Sequence, residues 1–394
     1  MEQMRFEQGD LQQEAPKRIK KRQSPRRRLR ALAVVAAAVL AVVAAFVLLD
    51  RTAFDGLRRS IAYMQAEKDE SGCARLFQYS SDGSSRYADL NGSLLVASAN
   101  EITLLDDKGN AAYHTALQFS QVALSAADGQ AAVYEIGGRT LYLLNSRGLV
   151  QQMDLEGDIF AVQMGQDGRF AVTLKKTGYK TTVSVYNGKG EPLYDFNSAQ
   201  SYLLTAAVSE NGKYMAAAAM SQDNGSFVSS LQIYKLTSET MAAEGTLEGG
   251  VYEMGTVGGR FCAATDKALY FVKTDGTVTS YDFQGASLSR CGLGADKFAA
   301  VLLENYASGG QTHLAIVNAA GEEISSMAVD SEVLDLSAAG RYLAVLYSNK
   351  LVIYDQKLRE CAVLEDVSSA RRVLMRSDGS AVLAGTNAAS LYLP

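Results

Sequence analysis

The sequence holds no tryptophan, two histidines, four prolines and four cysteines in 394 residues. Without tryptophan there is no Trp-Asp dipeptide and no indole against which a cofactor ring could pack, and no cofactor is expected. His114 and His313 stand far apart, with no His or Cys at ligand spacing, so no metal site is expected. Two histidines and no G-x-S-x-G also disfavour a serine hydrolase. So few prolines suit hydrogen-bonded strands. Past residue 30 positive charge is scarce as well: 28 Lys/Arg against 39 Asp/Glu, a net of −11, which argues against nucleic acid as a partner. Residues 1–30 are the reverse, with ten basic and four acidic residues.

That basic tail, ending KRIKKRQSPRRRLR (17–30), runs into ALAVVAAAVLAVVAAFVLL (31–49). Nineteen uncharged residues span about 28 Å as a helix, close to the hydrocarbon thickness of a bilayer. Nine Lys/Arg just before the run, against Arg51, Arg58 and Arg59 after it, put the N-terminus in the cytoplasm and the rest outside, so a single-pass plasma-membrane protein is expected. A cleaved signal peptide is the rival, but Phe46-Val47-Leu48-Leu49 before Asp50 is a poor cleavage site. The tail reads as a topology signal, with anionic-lipid binding as the alternative. Ala33, Ala37, Ala41 and Ala45 form a small-residue stripe that could pair two helices into a dimer. In residues 50–71, Leu57, Ile61 and Met64 recur at helical spacing, which predicts a juxtamembrane helix or linker.

From residue 72 onward the chain reads as short apolar runs punctuated by Gly with Asn or Asp. One run recurs eight times: GSLLVAS (92–98), GQAAVYE (129–135), GRFAVTL (168–174), GKYMAAAAM (212–220), GRFCAAT (259–265), DKFAAVL (296–302), GRYLAVL (340–346) and GSAVLAG (379–385). The residues preceding these copies are 37, 39, 44, 47, 37, 44 and 39 apart. A second run follows each, as EITLLDD follows the first and KLVIYDQ the seventh. Periods near 40 with several strands per unit signal an all-β fold, a β-propeller of four-stranded blades. The slim Ala-rich copies are expected on inner strands and the bulkier ones further out. The eighth unit stops at Leu391-Tyr392-Leu393-Pro394 without a fourth strand, and CARLFQYSS (73–81) has strand character but no unit of its own. If it completes the last blade, N- and C-terminal strands close an eight-bladed ring over 72–394 and leave no open edge. Seven blades is the alternative, should 251–286 or 287–331 not form a unit.

GRYLAVL followed by LVIYD resembles the strand–turn–strand of WD40-like and quinoprotein-like propellers. The whole layout (basic tail, one span, an LRRSIAYMQ helix, then a propeller) is similar to an uncharacterised family of Gram-positive bacterial membrane-anchored proteins, a domain of unknown function. That resemblance implies shape and location, not an activity.

Chemistry-bearing motifs are sparse. Asp106-Asp107-Lys108-Gly109-Asn110 lacks the acidic ladder of a calcium loop and reads as a hairpin turn. Asn91-Gly92-Ser93, a glycosylation triplet, likewise reads as a turn. SQDNGSF (221–227) resembles a sialidase Asp-box, yet occurs once. Cys73 and Cys361 are expected on outer strands of blades eight and seven, where a disulfide could pin the closure; Cys262 and Cys291 are expected on inner strands. The longest connections, KKTGYK (175–180), SQDNGSFVSS (221–230) and ENYASGGQT (304–312), should rise on one face. They offer Tyr179, Asp223, Asn224, Phe227, Asn305 and Tyr306 as candidate binding residues, aromatics beside amides that suit a protein or glycan partner. The expected role is therefore a non-catalytic binding or scaffold module outside the membrane. The alternative is a glycan-active enzyme, hydrolase or lyase, at the channel mouth.

Overall fold

The computed structural model describes residues 72–394, apart from 224, 239 and 306–309, together with Val34, Tyr63, Met64 and residues 68–70. Two compact units are distinguished, Met1–Leu57 and Arg58–Pro394, and of the first only Val34 is described. The expected span at 31–49, the basic tail and most of 50–71 lie outside the described residues. Among the described residues no helix is long and apolar enough to cross a membrane.

Within the second unit 32 strands form eight four-stranded antiparallel sheets. Blades one to seven span 86–116, 122–154, 158–198, 202–248, 251–282, 287–329 and 333–365. Blade eight combines three strands from 370–392 with Cys73–Gln78, which pairs Cys73 with Tyr392 and Gln78 with Ala388. The expected eight-bladed closure is thus the observed one. Tyr79 reinforces it, its hydroxyl donating to the Gly385 carbonyl at 2.8 Å.

First strands of neighbouring blades adjoin one another around the ring, so they line the central channel. The Ala-rich copies are the second strands, with a first strand inside each. They are slim because neighbouring blades cover both faces, as Ser93–Ala97 shows by being buried throughout. Third strands such as Ala268–Val272 are equally enclosed, whereas fourth strands such as Ala111–Ala116 face solvent. Each of the eight apolar clusters joins two adjacent blades, so the core consists of seams rather than one centre. At the seam of blades six and seven, Gly294 lies so close that a Cβ would come within 2.3 Å of the Ala338 carbonyl. Asn91 and Gly92 both adopt positive φ (53° and 101°) in a two-residue turn, the conformation that Asn-Gly favours.

Antiparallel order fixes the two faces. Connections between second and third strands, and those between blades, emerge on what we call the upper face. First-to-second and third-to-fourth turns emerge on the lower face.

Candidate functional site

The three long connections do rise together on the upper face, but they are not alike. In blade four, Tyr214–Asp223 and Ser226–Lys235 are ten-residue strands paired out to Asp223 and Ser226, so most of the expected loop at 221–230 is a tall hairpin. In blade six, Asn305 pairs with Gln311 at the base of the connection. Blade three carries an open loop after Phe170–Lys175. Of the expected binding residues, Asn224 and Tyr306 lie outside the described residues, and Asp223 and Phe227 are placed by backbone only. Tyr179 is exposed on blade three and Asn305 half-buried on blade six, so these two do not share a site.

Tyr179 instead meets aromatics that the loop search missed. In blades three to eight the register slips near the start of the first strand, between Ile159 and Ala161 in blade three and between Val251 and Glu253 in blade five. Such a bulge leaves one residue unpaired and turns it outward. In blade three that residue is Phe160 and in blade five Tyr252. Among the described residues the exposed aromatic rings are Phe160, Tyr179, Tyr202 and Tyr252 (40, 44, 58 and 69% accessible), and all four lie on the upper face of blades three to five. Exposed aliphatics of the propeller sit mainly on fourth strands around the rim, as Leu149, Leu193 and Ile324 do. Phe160, Tyr179 and Tyr202 line a cleft of about 370 Å³ with Lys175 and Lys180. Lys180 Nζ stands 5.1 Å from the Tyr202 ring centroid and donates to the Gln200 carbonyl at 2.7 Å, which fixes ring and cation together.

Deeper in the channel, the residues after the bulges in blades five to eight alternate in sign: Glu253, Arg290, Asp335 and Arg372. Asp335 accepts the Val373 amide at 2.9 Å and lies 3.4 Å from Arg372 Nη1, while Arg290 Nη2 donates to the Leu334 carbonyl at 3.0 Å. Burial lifts the Asp335 carboxyl above its ordinary value despite those donors. Glu253 opens to the lumen, yet the crowding walls push its carboxyl up to about 7. Beside it, burial raises the Cys262 and Cys291 thiols well above the ordinary value, which makes them unreactive fillers and not nucleophiles. Cys262 lies on a second strand and Cys291 on a first. Cys73 and Cys361 occupy fourth strands of blades eight and seven as expected, but both are free thiols, so no bridge joins them in this structure.

His114 and His313 lie on blades one and six, and no group of three metal-ligating side chains occurs among the described residues. Asp106 closes its own turn by accepting the amides of Lys108 (2.9 Å) and Asn110 (2.8 Å), a hairpin turn as expected.

The lower channel mouth is a larger cavity, about 860 Å³, walled by residues of blades one to three and six to eight and by Tyr63. Arg376, only 8% exposed, organises it. Its Nε donates to Asp89 at 2.8 Å, its Nη2 pairs with the same carboxylate, and its Nη1 donates to the Tyr63 hydroxyl at 2.9 Å. Tyr63 therefore meets the propeller on the lower side.

Solved structures share this fold. BamB from Moraxella catarrhalis is 14% identical with a TM-score of 0.50, and the match covers 81% of this chain and 97% of that one. Saccharomyces cerevisiae Sqt1 is 11% identical at 0.57, over 82% and 98%. Dihydro-heme d1 dehydrogenase NirN, solved in complex with DHE, is 15% identical at 0.53, over 77% and 75%. Such identities show the architecture alone. No curated protein matches the sequence. A family model described as "Family of unknown function (DUF5711)" matches residues 70–362.

Proposed function

Because the chain belongs to DUF5711, a family of unknown function, we propose its role from the surface: a non-catalytic binding or scaffold module that holds a protein partner on the upper face of blades three to five. We propose further that residues 31–49 anchor it as a single span, tail in the cytoplasm and propeller outside, on the strength of their hydropathy and the nine preceding cations.

The observation that carries the binding role is the confinement of the exposed rings, among the described residues, to one sector. Tyrosine and phenylalanine give large contact area at small entropic cost, and contiguous apolar surface of this kind marks interaction sites. A glycan-active enzyme would instead need two carboxylates facing a shared substrate. Glu253 and Asp335 lie on blades five and seven with Arg290 on the blade between them, and Asp335 is occupied by Arg372. That arrangement favours the binder.

Site-specific photo-crosslinking tests the reading. A photoreactive residue at position 179 or 202 should give a discrete adduct in cells, while one at Lys357, in a lower-face turn, should not. Adducts of equal yield from both faces, or none from 179 and 202, would sink it.

A further inference from the structure

The cleft beneath Tyr179 has a charge unlike the rest of the propeller. Glu156 is paired by Lys176 and Asp158 by Arg139 at 2.9 Å, so these two carboxylates already have their cations. Lys175 and Lys180 remain, both exposed and both lining the cleft, and among the described residues no acidic side chain lines it. Among the described residues Lys175 forms no ion pair. Past residue 30 the chain carries a net charge of −11. An anionic ligand is therefore repelled by the net charge of the body and drawn to these two cations, which orients it before contact.

The lining also discriminates between anions. A sugar displays a ring of hydroxyls that must be matched by acceptors as well as donors. Here Phe160, Tyr179, Tyr202, Gly178 and Ala199 surround two ammonium groups, and among the described residues no amide or carboxyl side chain joins them. A carboxylate needs only donors, and an ammonium satisfies it without fixed geometry. The aromatic faces would cover an apolar neighbour of that carboxylate.

We propose that the Phe160–Tyr179–Tyr202 cleft takes an acidic peptide segment of a partner protein, with one carboxylate between Lys175 and Lys180 and an adjoining apolar side chain laid on Phe160 and Tyr202. This rests on the upper face being the binding face, and it names what that face selects.

The full chain in detergent micelles can be panned against a phage-displayed library of short random peptides, beside the K175E/K180E and F160A/Y202A variants. The expected pool is rich in Asp and Glu next to aromatic or aliphatic residues. A synthetic peptide from it should bind K175E/K180E about ten-fold or more weakly, and regain affinity for that variant when its acidic residues are changed to lysine. A neutral or basic pool, or binding indifferent to K175E/K180E, overturns the acidic assignment. If such a pool still loses binding to F160A/Y202A, the upper-face reading stands without it. Binders indifferent to both variants, or no binders, overturn both. An array of uronate and sulfated glycans that binds this cleft where peptides do not also overturns the peptide class.

Discussion

At the scale of single residues, two charged groups show how the channel walls govern their ionisation and pairing. Glu253 keeps its proton to about pH 7 when folded, whereas its ordinary value is 4.5. Between those values the native state binds more protons than the unfolded one, so stability falls as pH rises through that window and levels above it. The E253Q variant should lack this fall. Urea midpoints across the window should diverge progressively in favour of the variant, and parallel midpoints would refute the assignment. Water in the lumen keeps the effect below that of full burial. Arg376 is the opposite case, a buried cation satisfied on every side. R376A strands Asp89 without its partner and should cost about 3–5 kcal/mol in urea unfolding, while Y63F should cost about 1–3 kcal/mol. An R376A loss no larger than that of Y63F would show that the pair does not organise the lower mouth.

Residue-scale features were also the least legible from sequence. Tyr179 could be found because it sits in a Gly-containing polar loop between two apolar runs. Phe160 and Tyr252 could not, because DIFAVQM and VYEMGTV read as continuous strands. Their exposure arises from a one-residue slip in pairing, and periodicity does not report a slip. The Arg376–Asp89 pair was hidden for another reason: its members lie 287 positions apart and meet only when the ring closes.

At the scale of elements, the repeat was readable because enclosure imposes one composition on every second strand. Two faces covered by neighbouring blades demand apolar, slim residues, and the Gly-Asn-Asp turns mark where each run must end. First strands escaped the same search. One edge of each meets the channel, so their burial is irregular, as the pattern in Val333–Ala339 shows. The tall hairpin of blade four reads as a loop in the sequence because residues such as Ser221 and Gln222 are ordinary in an unshared, solvent-facing strand extension. Cys73–Gln78 was legible through bookkeeping, being a strand without a blade beside a blade without a strand. Phe77 is fully buried in the seam that this strand makes with blade one. F77A should therefore cost about 3–5 kcal/mol and loosen closure, read as faster proteolysis in blade eight before any other blade. Cleavage that begins elsewhere would show that closure does not depend on this side chain.

At the scale of the whole molecule, period and closure determine architecture while leaving role open, since folds of this shape host unrelated activities. What distinguishes this chain is distribution. Acidic residues outnumber basic ones past residue 30, the exposed rings among the described residues gather on three blades of one face, and Tyr63 engages the other face. The photo-crosslinking and panning outcomes belong to this scale, because each asks whether one sector of a ring with eightfold architecture behaves differently from the rest.

The shared eighth blade also has a consequence in time. Tyr79 and Gly385, 306 positions apart, end up hydrogen-bonded, so the first strand to leave the ribosome is among the last to find its neighbour. Until then its backbone edge stands open, and seven finished blades wait for one partner. Closure of the ring is thus gated by synthesis of Ala388–Tyr392, and a chain interrupted before that strand carries its own unpaired edge as a visible mark of being unfinished.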